Sequence, residues 1–266
     1  MTDGMMTDGP APTIATTDDS CLSGRVTVRQ PRDGYRVGTD AVMLAAGIAS
    51  GRRMVRALDM GAGVGGVSLA VSQRLAGLHI TAVERDQASY DLLCHNIAAN
   101  GRDAVIRPYC GDVLALPAML KGSFDQVFAN PPFHHGSDAP SRSRRRAQAH
   151  YADEEALARW VASGLWALRQ KGRVTFIIRA DRTDQVMRAL AQGGAGEIVL
   201  YPLWSYRGSP AIRMIITARK GVKGAMAVLP GLVLHHPGGA LTPEARRVMK
   251  GEGLLLRHPA TTHLQG

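Results

Sequence analysis

The sequence predicts an α/β fold, a doubly wound sheet of seven strands that alternate with helices and end in an antiparallel pair. Three observations predict it. Short apolar runs recur along the chain, separated by stretches with apolar residues at helical spacing. The first run leads directly into a glycine-rich turn that opens a helix. The last two runs follow one another without a helical stretch between them, which makes them a hairpin and gives the sheet a mixed edge.

In chain order, Met1 to Ser23 is rich in Thr, Asp, Gly and Pro. It lacks a basic and apolar leader pattern and reads as a flexible tail, not a secretory signal. The main domain is expected over residues 24–250, with a C-terminal tail over 251–266. Val55 to Met60 reads as the first strand, and Gly61-Ala62-Gly63-Val64-Gly65-Gly66 opens a helix running through Val67 to Val71. Glycines there let the backbone turn tightly and let a ligand approach the helix N-terminus.

The spacing 61, 63, 66 also satisfies the dinucleotide fingerprint, so the glycines alone leave two ligand classes open. Asp59 discriminates between them, because a carboxylate just before the turn suits a cationic ligand better than a pyrophosphate. Glu84 closes the next strand, His79 to Val83, and can accept hydrogen bonds from two ribose hydroxyls, a role common to both classes. Tyr90, Leu93, Cys94 and Ile97 mark the buried face of a helix. Asp112 follows a third strand, Val105 to Cys110, where a carboxylate can accept from an adenine amine.

The fourth strand, Phe124 to Ala129, runs into Asn130-Pro131-Pro132-Phe133. Two consecutive prolines cannot continue a ladder, since each fixes φ and lacks an N–H donor. The loop is therefore stiff, at the strand end where open α/β sheets bind ligands. The Asn130 amide oxygen and the Pro131 carbonyl can accept both hydrogens of one NH2 group, and Phe133 can lie flat against the planar system carrying it. The same tetrapeptide also serves as an ordinary strand-to-loop exit. Residues 134–150 have no apolar periodicity. His134 and His135 have no accompanying Cys, His or Asp cluster, so no metal is expected. Leu157, Trp160, Val161, Gly164, Leu165 and Leu168 form a helical core stripe. Gly172 to Ile178 reads as the fifth strand, Thr183 to Gln192 as a helix, and Glu197 to Leu203 with Ile212 to Arg219 as the closing pair.

The ordered set Asp59, glycine turn, Glu84, Asp112 and Asn-Pro-Pro-Phe resembles a class I S-adenosylmethionine-dependent methyltransferase of the amino-methylating branch. It is similar in particular to the bacterial tRNA adenine-N6-methyltransferases that act next to the anticodon of a valine tRNA. The resemblance extends over residues 24–250. It includes Gly34 to Leu44, Arg207-Gly208-Ser209-Pro210-Ala211, Leu229 to His235 and Leu241-Thr242-Pro243-Glu244, and departs at Trp204-Ser205 and at the Arg-rich run 142–146. It implies a Rossmann-like seven-stranded methyltransferase sheet with an antiparallel last strand, and S-adenosylmethionine as cofactor. The residues it implies at the cofactor are Asp59, Gly61, Gly63, Gly65, Glu84, Asp112, Tyr35, Thr39 and Asp40. Those it implies for catalysis are Asn130, Pro131, Pro132 and Phe133. It implies methyl transfer to adenine N6 in tRNA; a glutamine carboxamide on a protein has the same planar NH2 geometry and remains a second acceptor class, an rRNA or a small molecule is a further one, and a non-enzymatic RNA-binding module would leave the ordered acids and glycines unexplained.

Composition agrees. A chain of 266 residues, 45% hydrophobic and 20% charged, supports one globular domain with a sizeable core. No run of about 18 apolar residues is present, so no membrane span is expected. Cys21, Cys94 and Cys110 are odd in number and widely spaced, which argues for a reducing cytoplasm and against a disulfide framework or zinc site. The net charge of +10 suits an anionic partner such as RNA. Arg142, Arg144, Arg145 and Arg146 crowd the segment after the Asn-Pro-Pro-Phe loop. They read as part of a mobile lid whose guanidiniums reach phosphates near the target base, or else as a solvated loop.

Overall fold

A computed structural model describes residues 15–33, 36–49, 51, 54–132 and 143–256, with the side chains of residues 143–154 excepted. The chain opens with an antiparallel hairpin of β1 (Thr16–Cys21) and β2 (Val26–Pro31), paired along all six residues of each strand. This corrects the reading of residues 1–23 as a tail: β-branched Thr16, Thr17, Val26, Thr27 and Val28 favour the pleat, and Leu22, Val26 and Val28 are buried. Residues 1–14 lie outside the described residues. Helix α1 (Thr39–Gly47) follows.

The alternating region then comprises β3 (Arg56–Met60), α2 (Gly66–Arg74), β4 (His79–Glu84), α3 (Gln87–Ala99), β5 (Ile106–Cys110) and β6 (Phe124–Ala129). Helix α3 starts where the Asp86 carboxylate accepts the Ser89 N–H at 2.8 Å, an N-cap that satisfies one otherwise orphaned donor. Between β5 and β6 the connection is reduced to one 3-10 turn, Ala118–Leu120.

Next come α4 (Ser143–Ala167), β7 (Leu168–Arg179), α5 (Thr183–Gln192), β8 (Ala195–Tyr206) and β9 (Ala211–Lys220). Helix α4 begins at Ser143, so residues 143–150 are helical where the sequence reading had a mobile loop. Arg144 to Gln148 are good helix formers, and their propensity prevails over the missing apolar stripe. Leu168, expected to continue the helical stripe, instead opens β7 and pairs with Phe124.

The chain ends in β10 (Ala227–Val228), β11 (Leu232–His235) and α6 (Pro243–Met249). Residues beyond 250 are not all tail. The Leu254 N–H donates to the Ala46 carbonyl at 2.8 Å, and Leu256 is buried against α1 beside Gly47.

Among the described residues, nine strands form one sheet. Its central seven run in the order β5-β4-β3-β6-β7-β9-β8, and β10 and β11 both pair in parallel with β8. Strands β3 to β7 are mutually parallel, and β9 is antiparallel to both β7 and β8. Two apolar cores cover the two faces. One joins Leu69, Ile80, Ile106, Phe128 and Ile215 to α1, α2 and α3; the other joins Met60, Val127, Phe176 and Ile216 to α4 and α5. The chain leaves β3 in one direction through β4 and β5, then returns to β3's other side as β6. That reversal opens a crevice at the carboxyl ends of β3 and β6.

Candidate active site

The crevice is built where Met60 pairs with Val83 on one side and with Ala129 on the other. The residues that follow, Gly61, Glu84 and Asn130, therefore leave three adjacent strands at one level, about 4.8 Å apart from strand to strand. Asp112 lies two residues past Cys110, which pairs with Glu84.

Gly61, Gly63 and Gly65 have φ of 67°, 56° and 93°, a region that costs L-residues free energy and glycine little. A Cβ at Gly61 would lie 2.6 Å from Trp160 of α4, and one at Gly65 would lie 2.7 Å from Leu93 of α3. Those two glycines are required by their neighbours as well as by φ. A Cβ at Gly63 would meet nothing within 4 Å, so there the turn faces open space that a ligand can occupy.

Glu84 organises this turn. Its Oε2 accepts the Gly63 N–H at 2.8 Å, and its Oε1 accepts the Arg85 and Asp86 N–H groups, both at 2.8 Å. A carboxylate offers about four lone-pair positions, so three backbone donors leave about one open. Asp112 likewise accepts the Leu114 N–H at 2.8 Å through Oδ1.

Asp59 is 1% exposed and accepts the Ser68 hydroxyl of α2 at 2.6 Å. Burial pushes its pKa up to about 7, against the opposing effect of the Ser68 hydrogen bonds, and the Glu84 charge pushes the same way as burial. The Ser68 hydrogen bond ties the end of β3 to the first turn of α2.

Asp40 accepts from the Arg213 Nε of β9 at 2.8 Å. Thr39 is the exposed first residue of α1. Asn130 is half-buried with its side-chain oxygen shielded from solvent, Pro131 is buried, and Pro132 is exposed. Tyr35, Phe133 and Arg142 lie outside the described residues, as do His134 and His135. Arg144, Arg145 and Arg146 lie on the first turns of α4, and their side chains are outside the described set.

Three contacts escaped the sequence. Trp160, read as core, packs against Gly61, and Val37 packs so closely on Gly66 that a Cβ there would lie 2.4 Å from it. Asn96, 1% exposed, ties the N-terminal hairpin to the turn: its Nδ2 donates to the Arg29 carbonyl at 2.8 Å and to the Val64 carbonyl at 2.9 Å. Nothing in the spacing of Asn96 marks it; an asparagine on the apolar side of a helix was the available signal.

Among the described residues no group of three or more His, Cys, Asp or Glu could hold a metal ion, and no helix is long and apolar enough to cross a membrane.

The chain is similar to known proteins in sequence and in fold. The tRNA1(Val) (adenine(37)-N6)-methyltransferase of Dickeya chrysanthemi is 29% identical over 197 residues, covering 73% of this chain and 76% of that protein. The protein of the same name from Actinobacillus pleuropneumoniae serotype 7 is 28% identical over 183 residues, covering 68% and 75%. Among solved structures, a predicted O-methyltransferase of Agrobacterium tumefaciens superposes with a TM-score of 0.68 at 23% identity, covering 82% of this chain and 99% of that one. A 16S rRNA N2 G1207 methyltransferase of Thermus thermophilus superposes with a TM-score of 0.51 at 18% identity, covering 79% and 46%. These two likenesses establish the fold. The sequence profile of the methyltransferase small domain matches residues 39–192, more than half of the molecule, and the chain belongs to that family.

Proposed function

We propose that this methyltransferase transfers the methyl group of S-adenosylmethionine to the exocyclic N6 amine of an adenine in a tRNA. The observation that carries the reading is the side-by-side placement of the Gly61 turn and Asn130, fixed by the pairing of Met60 with Ala129. That placement brings a cofactor cradle and an amine acceptor to neighbouring strand ends. The relatives named as tRNA adenine-N6-methyltransferases support the choice of acceptor. The +10 net charge suits a polyanion.

The residues present fit the cofactor. Open space at Gly63, a free lone-pair position on Glu84 and the Asp112 carboxylate would hold its amino-acid, ribose and adenine parts in that order. When bound, S-adenosylmethionine supplies an electrophilic sulfonium methyl. The chain supplies position. An adenine N6 lone pair is delocalised into its ring and is a poor nucleophile. Asn130 Oδ1 and the Pro131 carbonyl accept its two hydrogens, favour a more tetrahedral nitrogen and aim the lone pair. Pro131 and Pro132 keep these acceptors from turning away, so little reorganisation accompanies the reaction. Phe133 stacks on the extruded base, and a single-stranded loop makes that extrusion inexpensive. No strong general base is needed, because the amine loses its proton after the methyl has transferred. All three cysteines are free thiols, which suits a reducing cytoplasm.

Counting methyl groups from radiolabelled cofactor on total tRNA and on total protein tests this. Label in tRNA, released as N6-methyladenosine on digestion, is the expected result. Label confined to protein glutamine overturns the tRNA assignment.

A further inference from the structure

The sheet edge beside Asn130 rises as a staircase. Ala129 pairs with Phe176, which sets Asn130 level with Ile177 of β7. Strand β7 runs two residues further, to Arg179, which pairs with Arg213, and Arg213 pairs in turn with Leu203 of β8. Strand β8 continues three residues beyond Leu203 to Tyr206, about 10 Å past that row. The β8–β9 hairpin is therefore a wall on one side of the crevice, three strands from β6 and about 14 Å away across the sheet.

Its tip is rigid. The Ser209 N–H donates to the Tyr206 carbonyl at 3.2 Å, the Ser209 hydroxyl donates to the same carbonyl at 2.7 Å, and Gly208 takes φ 81° to close the turn. What the tip presents is unusual for a solvent turn. Tyr206 is 44% exposed, and its ring lies 5.8 Å from that of His235 on the paired β11, tilted by 44°. Arg207 beside it is exposed and has no carboxylate partner among the described residues. Past His235 the same surface continues along a cleft of about 330 Å³ lined by exposed His236, Arg246 and Lys250.

We propose that the Tyr206–His235 ring pair and Arg207 form a second RNA contact, a stacking and phosphate platform for nucleotides flanking the base held at Asn130. The inference rests on the tRNA reading and adds to it the path of the strand. Aromatic faces accept any base, and guanidiniums track the phosphates. An acidic peptide would satisfy the cations but leave the paired rings without a matching face. A strand seated across both places would have its target base splayed from neighbours that stay stacked, the arrangement single-stranded RNA readers use.

Steady-state methylation of tRNA by the full chain tests this, using wild type, Tyr206→Ala, Tyr206→Phe and Arg207→Ala. Cofactor affinity is read by calorimetry, and tRNA binding is measured across a salt series. We expect Tyr206→Ala to raise the KM for tRNA about tenfold with kcat kept, and Tyr206→Phe to restore it. Arg207→Ala should lower the log–log salt slope by about 0.7, one single-strand phosphate contact. Cofactor affinity should stay at the wild-type value in all three. Unchanged KM and slope with tRNA still methylated overturn the platform and leave the tRNA reading standing. A fall in cofactor affinity and kcat alongside KM makes the hairpin a structural prop and also overturns it. A wild-type enzyme that labels protein and not tRNA overturns both.

Discussion

Glu84 Oε2 accepts the Gly63 N–H at 2.8 Å across the gap between β4 and the glycine turn. This carboxylate thus shapes the cradle before any ligand arrives. Glu84→Ala removes that acceptor, together with the bonds from Arg85 and Asp86. Bonds to a charged group contribute about 1.5–3 kcal/mol each, so S-adenosylmethionine affinity should fall at least tenfold, and the thermal midpoint should fall with it. Glu84→Gln, which keeps acceptor geometry on one oxygen, should lose less of both. Calorimetry with the cofactor and with NAD checks the assignment: tight NAD binding and none of the sulfonium compound would refute it.

Asp59 predicts a pH dependence with a definite sign. Its folded pKa is about 7 against an ordinary 3.8. The native state therefore binds the proton more tightly than the unfolded chain, and the stability this gives is complete below about 3.8. It is lost as pH rises through 7, a swing on the order of 4 kcal/mol. Asp59→Asn keeps an acceptor for the Ser68 hydroxyl and carries no charge. Its stability relative to wild type should be more favourable at pH 8 than at pH 5, read from urea midpoints. Cofactor affinity of wild type should rise over the same interval as the carboxylate ionises beside a cationic ligand, and Asp59→Asn should flatten that rise.

Asn130→Ala should abolish turnover and leave cofactor affinity within a few-fold, because the amide acts on the acceptor amine. Asn130→Asp, still an acceptor, should retain partial activity. Parallel losses of cofactor binding and turnover in Asn130→Ala would make the residue a cofactor contact instead.

Replacing Arg142, Arg144, Arg145 and Arg146 together with Ala should weaken tRNA binding and flatten its salt dependence. Each lost phosphate contact lowers the log–log slope by about 0.7 to 0.9. Cofactor affinity should not change, since the glycine turn and its carboxylates lie on other elements. An unchanged slope would retire these arginines as RNA contacts.

The sequence by itself determined the alternating strands β3 to β9, the helix over Thr183–Gln192 and the position of every strand end that carries a candidate residue. It could do so because burial imposes period and chemistry locally: Phe124–Ala129 is apolar at its ends and wholly buried, and glycine takes the φ values at 61, 63 and 65 at the least cost. Tertiary structure decided the rest. The β1–β2 hairpin is polar along β1 and is held from outside its own pattern, by Asn96 at Arg29 and by Asn100 at Thr27. Strand β11 and the buried Leu256 exist because β8 and α1 offer surfaces to cover. Asp40 pairs with Arg213, which lies 173 residues away in the chain. Trp160, read as core, lies on Gly61. Residues that act through neighbours distant in sequence carry no local signature, because what selects them is a contact made only once the sheet has assembled.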